Sequence, residues 1–141
     1  MFSPTRDQAR RFFIEAWDKQ NQGLALSALE QLAAGIVALH PEYHGLLTRG
    51  EEALAHEWTP EAGEANPFLH LSLHLAIEEQ LSIDQPPGIH AAFASLLLSR
   101  GERHKALHEV LECLGETVWR AQRDQAPPDG AAYLDCLRRK L

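Results

Sequence analysis

The sequence is poor in residue types whose abundance marks specialised classes of protein. It contains two cysteines and one methionine in 141 residues, and two cysteines are too few for a disulfide-rich secreted scaffold. Cys113 and Cys136 could form one disulfide, but they lie too far apart for a CxxC zinc or redox motif. No stretch approaches the ~18 consecutive apolar residues of a membrane-spanning helix.

Basic residues are also in the minority. The chain has 13 Lys and Arg against 20 Asp and Glu, for a formal net charge of -7. An acidic chain without a basic cluster is a poor partner for nucleic acid or anionic membranes, so we expect neither. The stretch MFSPTRDQARRFF carries charge where a signal peptide has an apolar core. We therefore expect a soluble, cytoplasmic protein.

The apolar pattern predicts helices throughout, without strand-like alternation. Ser3-Pro4 and Asn66-Pro67 are helix-start signals, since each combines a cap with a first-turn proline. The breaks are Asn21–Gly23, DQPPG at 84–88 and APPDG at 126–130. The predicted helices follow Ser3 and then cover Leu24 to Leu39, His40 to about Glu57, Asn66 to about Ile83, Ile89 to Leu98, Glu102 to about Arg123, and a short C-terminal stretch around Tyr133, Leu134 and Leu137. Six or seven helices predict a compact all-α bundle, with residues 1–141 as a single domain.

One predicted helix carries a row of ionisable residues among its leucines. In NPFLHLSLHLAIEE, residues 66–79, His70, His74 and Glu78 follow one another at intervals of four. Residues four apart lie on one face of a helix. On a helical wheel at about 100° per residue, this row falls inside the apolar arc and Glu79 does not. The row is therefore predicted to point into the core.

The same spacing occurs again 34 residues later. The stretches HLSLHLAIE and HKALHEVLE both read H-x-x-L-H-x-x-x-E, and the second contains His104, His108 and Glu112. The stretch HPEYH adds His40 and His44 at a predicted break between helices. Six of the eight histidines thus belong to pairs four residues apart, whereas His56 and His90 stand alone and are expected at the surface.

Imidazole pairs with a carboxylate one turn away are typical of sites for iron, manganese or zinc. A cation would also satisfy a buried carboxylate that is costly to leave unpaired. Two other interpretations stay open: the histidines and glutamates form a polar network without metal, or the rows face solvent. The candidate metal ligands are His40, His44, His70, His74, Glu78, His104, His108 and Glu112.

These histidine-rich stretches, together with the opening MFSPTRDQARRFF and the long NPFLHLSLHLAIEEQLSIDQPPGI, resemble the proteobacterial family labelled domain of unknown function 1841. The resemblance covers nearly the whole chain and implies a small bacterial intracellular protein, without bringing an established activity. The H-x-x-x-E spacing of His74/Glu78 and His108/Glu112 is similar to one element of hemerythrin-like di-iron proteins. The DinB-like bundles, with three histidines around one metal, are a looser likeness.

The sequence favours a metal-binding helical bundle, with a non-haem di-metal centre of iron or manganese in an oxygen- or peroxide-related role. Zinc in a mononuclear, hydrolase-like site is a further alternative. The main rival is a non-enzymatic interaction or structural module with a polar histidine core. We expect no nucleotide cofactor, and the ligand at the metal would be a small molecule or an oxygen species. The sequence leaves enzymatic activity and oligomeric state open.

Overall fold

The computed structural model describes residues 6–56, 58 and 66–141. The chain divides into two compact units, Met1–Leu75 and Ala76–Leu141. The cap predicted at Ser3 lies outside the described residues.

The regular elements that the structure describes in the N-terminal unit are helices. The unit contains α1 (Arg6–Asn21), α2 (Ala28–Ala38), a 3-10 turn (Pro41–Tyr43), α3 (His44–Leu47), α4 (Glu51–Ala55) and the first part of α5 (Pro67–Ile83). Helices α1 and α2 pack together, and α1 also contacts α3 and α4.

The C-terminal unit holds the rest of α5 and three further helices. These are α6 (Ile89–Arg100), α7 (Arg103–Asp124) and α8 (Gly130–Arg139), each of which packs on the other two. Over the ranges that the structure describes there are eight α-helices and no strand, so the predicted all-α class is confirmed. None of these helices is long and apolar enough to cross a membrane.

Capping residues explain where two of the helices begin. Ser27 accepts a hydrogen bond from the Glu30 backbone, and the Glu30 carboxylate accepts one from the Ser27 backbone. This capping box starts α2 at Ala28, so the start predicted at Leu24 was wrong. The Asn66 side chain accepts bonds from the backbones of Phe68 and Leu69, which confirms the predicted start of α5.

The single helix predicted after His40 is instead three short pieces. Pro41 begins a 3-10 turn that leads into α3, and α3 ends at Leu47. Gly50 then adopts a φ of 57°, a conformation that favours glycine, before α4 begins at Glu51. The glycine is the physical reason that a continuous helix does not form there.

A buried apolar cluster organises the N-terminal unit. Its members come from α1, α2, α3, α4 and the start of α5: Phe13, Ala16, Trp17, Ala33, Ile36, Val37, Leu47, Ala53, Phe68, Leu71 and Leu75. Arg10, only 3% exposed, donates to the carbonyls of Ala53, Leu54 and His56 at the end of α4. These bonds satisfy carbonyls that a helix end leaves without intrahelical partners.

The C-terminal unit combines an apolar core with one covalent link. Cys113 on α7 and Cys136 on α8 form a disulfide. Tyr133, Leu134 and Leu137 bury the inner face of α8, and the Tyr133 hydroxyl donates to the Gln80 side chain at 2.8 Å. Burial raises the pKa of Tyr133 well above its ordinary value, so this phenol stays protonated as the donor.

Candidate metal centre

The end of α2 orients two histidines. His40 Nδ1 lies 2.8 Å from the Ile36 carbonyl, and His44 Nε2 lies 2.8 Å from the Val37 carbonyl. Carbonyl oxygens only accept, so the facing ring nitrogens carry the protons. The two carbonyls also accept backbone N–H bonds from Leu39 and His40, so each imidazole adds a further donor at the end of α2.

Three histidine Nε2 atoms converge within the N-terminal unit. His70 Nε2 lies 3.2 Å from His40 Nε2 and 3.2 Å from His74 Nε2. The three ligand atoms all lie within 4.8 Å of one another. His70 and His74 come from adjacent turns of α5, as their spacing predicts, and His40 comes from the end of α2.

These separations match those of nitrogens that share a metal ion. Two nitrogens bound to zinc at about 2.0–2.1 Å and separated by a tetrahedral angle lie about 3.3–3.4 Å apart. The observed contacts of 3.2 Å are close to that value. The residues present therefore fit a divalent transition metal held by three imidazoles.

The bond from His40 Nδ1 to Ile36 determines which ring nitrogen faces the cluster. In the neutral ring the proton is on Nδ1, which faces Ile36, so Nε2 presents its lone pair to His70. His70 Nε2 then has one proton or one lone pair with which to meet two neighbouring nitrogens. Nitrogens placed this way could hold a metal ion.

The histidine cluster is largely buried, and the Tyr43 ring packs against it. His40 and His74 are each 2% exposed, and His70 is half-buried. The Tyr43 ring stacks on His40 at a centroid distance of 5.5 Å and meets His70 edge-on at 5.9 Å. Burial raises the pKa of Tyr43. Tyr43 lies inside the HPEYH stretch, but histidine spacing alone does not identify it.

His44 does not join the three converging nitrogens. Its Nε2 faces Val37, and its ring packs on Trp17 at 4.4 Å between centroids. Of this i, i+4 pair, His40 therefore contributes a nitrogen to the cluster, whereas His44 contacts only the end of α2 and Trp17 among the contacts described above.

The predicted carboxylate ligands form ion pairs. Both Glu78 oxygens accept from Arg103, at 2.7 and 2.9 Å, and this bidentate pair raises the pKa of Arg103. Glu112 is 69% exposed and accepts from Lys140 at 2.8 Å. Arg103 directly precedes His104 in the chain. The spacing of histidine and glutamate on one helix does not predict its ion pair with Glu78.

The second histidine pair lies on α7 in the C-terminal unit. His104 and His108 are half-buried, with ring centroids 4.3 Å apart. Their spacing on one helix face agrees with the predicted stacking of i, i+4 side chains. His56 and His90 are exposed, as expected.

Comparison with known proteins gives one relationship. No curated protein and no solved structure matches the chain at a significant level. A family model described as "Domain of unknown function (DUF1841)" matches residues 5–139. The chain therefore belongs to the DUF1841 family.

Proposed function

We propose that this protein binds one divalent transition metal through the Nε2 atoms of His40, His70 and His74. The observation that carries the proposal is the convergence of three imidazole nitrogens at separations of 3.2 Å, with two of the three rings almost fully buried. The His40 Nδ1–H bond to Ile36 supports it further, because metal-binding histidines almost always donate their second ring N–H to a carbonyl or carboxylate.

The donor set supports zinc or iron(II) before manganese. Imidazole suits zinc and iron, whereas manganese prefers oxygen ligands. The di-metal centre expected from the sequence would need its carboxylates, but Glu78 is held by Arg103 through both oxygens. A mononuclear site is therefore the better supported proposal, and the di-metal centre expected from the sequence is the competitor.

Three imidazoles leave coordination positions for water or a small ligand. Zinc held this way would lower the pKa of a bound water for hydrolysis, whereas iron would bring the oxygen- or peroxide-related chemistry expected from the sequence. The protein would supply the orientation of the three rings and the apolar enclosure around them. The identity of the bound metal decides between these two roles.

Metal reconstitution tests the proposal. The chelator-treated protein is incubated separately with Zn²⁺, anaerobic Fe²⁺ and Mn²⁺, desalted, and analysed for metal per chain. We expect about one equivalent of zinc or iron and less manganese. Less than about 0.2 equivalents of every metal would overturn the proposal, and two equivalents would favour the di-metal centre.

Matched histidine variants identify the ligands. His70→Ala and His74→Ala are expected to weaken metal affinity more than tenfold. The control His44→Ala removes an imidazole of the same unit, whose Nε2 faces the Val37 carbonyl. The control His90→Ala removes an exposed imidazole. Both controls should bind metal like the unaltered protein. Equal losses in ligand and control variants would contradict the assignment, and a lower metal content in Glu78→Ala would add that carboxylate to the ligands.

A further inference from the structure

The disulfide of the C-terminal unit joins one buried cysteine to a cysteine that lines a cleft. Cys113 is 1% exposed within the core beneath α7, whereas Cys136 on α8 is half-buried. Cys136 lines a cleft of about 590 Å³ formed by α7, α8 and the segment between them, and Cys113 is not part of its lining. The two cysteines of this bond therefore differ in exposure.

The cleft is rich in charges of both signs. Its lining includes four cations and four carboxylates: Arg120, Arg123, Arg139, Lys140, Glu116, Asp124, Asp129 and Asp135. Several form exposed pairs with one another, among them Arg120–Glu116 and Arg139–Asp135. Such exposed pairs contribute little stability, so a ligand with charges of both signs can replace a partner at low cost. The volume is in the range of small-molecule sites.

Helix α8 has attachments other than the disulfide. Its buried face includes Tyr133 and Leu137, at 2% and 1% exposure, and the Asp129 side chain caps its first turn. These contacts do not require the sulfur–sulfur bond. The bond can therefore open while α8 stays in place.

We propose that Cys136 is a site of thiol–disulfide exchange with small zwitterionic thiols that enter this cleft. Exchange rates depend on which sulfur is attacked and on its access. The thiolate of the small molecule attacks Cys136 Sγ and forms a new sulfur–sulfur bond. The Cys113–Cys136 bond breaks, and its electron pair goes to Cys113 Sγ, which then takes up a proton from water.

A second small thiolate completes the reduction. It attacks the small-molecule sulfur of the mixed disulfide, so the oxidised small disulfide leaves and Cys136 becomes a thiolate. In total the protein disulfide gains two electrons and two small thiols are oxidised. The reverse sequence, with a small disulfide as oxidant, restores the bond.

Mapping the mixed disulfide tests the assignment on the unaltered chain. The oxidised, native protein is exposed to reduced glutathione as the probe, quenched with acid, alkylated and analysed by peptide mass spectrometry. We expect glutathione on Cys136 and the alkyl group on Cys113, at least tenfold over the opposite pattern. Glutathione mainly on Cys113, equal labelling, or exchange seen only in denaturant would each overturn the proposal.

Two further comparisons separate access from charge. Among single-cysteine variants, Cys113→Ser leaves Cys136 and should react with oxidised glutathione more than tenfold faster than Cys136→Ser. In the unaltered protein, the rate of exchange per thiolate should be higher with glutathione than with neutral 2-mercaptoethanol. Arg120→Gln should reduce this difference in rate, whereas the control Arg49→Gln in the N-terminal unit should not. Equal rates for the two thiols would overturn the preference for zwitterions.

Discussion

At His40, one imidazole nitrogen binds a backbone carbonyl and the other faces the histidine cluster. The bond to Ile36 sets the tautomer, and the tautomer presents the Nε2 lone pair to His70. His44, four residues later, uses Nε2 to bind Val37 instead. Two histidines of the same short motif thus have different chemistry because different ring nitrogens meet the end of α2.

Glu109 gives a prediction for pH dependence. Arg100 donates to both of its oxygens and to the Lys140 carbonyl, which links α6, α7 and the end of α8. The hydrogen bond from Arg100 lowers the pKa of Glu109 below its ordinary value of 4.5. Because the pKa of the folded state is the lower one, the stabilisation is complete above pH 4.5 and is lost as pH falls through the lowered pKa.

Glu109→Gln should therefore lower the free energy of unfolding at pH 7, and the difference from the unaltered protein should shrink as pH falls below 4.5. Urea titrations at several pH values measure it. Glu116→Gln is the control, since its pair with Arg120 is half exposed and contributes little. A deficit independent of pH would show that the Glu109 ion pair is not its source.

Cap chemistry determines the ends of the helical elements. Asn66-Pro67 predicted the start of α5, and the glycine- and proline-rich breaks predicted the ends of α1 and α5 and the start of α6 to within a few residues. The start of α2 was misplaced because apolar residues at 24–26 continue the helical pattern while Ser27 supplies the cap. Gly50 was passed over for a related reason, since one glycine in a periodic stretch is a weak break signal.

Ser27→Ala tests how much the capping box contributes to the free energy of unfolding. Losing the Ser27 bond to the Glu30 backbone should lower the free energy of unfolding by about 1 kcal/mol. Ser95→Ala, at an exposed position within α6, is the matched control and should be close to neutral. Urea unfolding measures both variants, and equal stabilities would refute a role for the box.

At the scale of the whole molecule, the chain divides into two units at a position within helix α5. The boundary falls between Leu75 and Ala76, within α5. The single domain expected from chain length stays a prediction. So does the cytoplasmic location, and the disulfide bears on it because cytosolic thiols are generally kept reduced.

A single domain predicts one cooperative unfolding transition. In Trp119→Phe, fluorescence reports on Trp17 and Trp58 of the N-terminal unit, whereas far-UV circular dichroism reports on all helices. We expect coincident urea transitions from both probes. Zinc at 100 times its dissociation constant should raise the free energy of unfolding by about 2.7 kcal/mol in both. Different urea midpoints from the two probes would establish two independently folding units. An equal stabilisation by zinc in His74→Ala would show that the histidine cluster is not the source of the zinc effect.

Short-range spacing explains how much could be predicted. The 3.6-residue period put His70 above His74 and predicted the all-α class, because helix geometry depends on neighbours within a few residues. Which side chains meet across loops depends on packing between distant segments. His40 reaches His70 from another element, Glu78 pairs with Arg103, and Cys113 meets Cys136 over 23 residues. Local periodicity was therefore enough to identify the histidines as candidates. Packing between distant segments determined that the Nε2 atoms of His40, His70 and His74 converge.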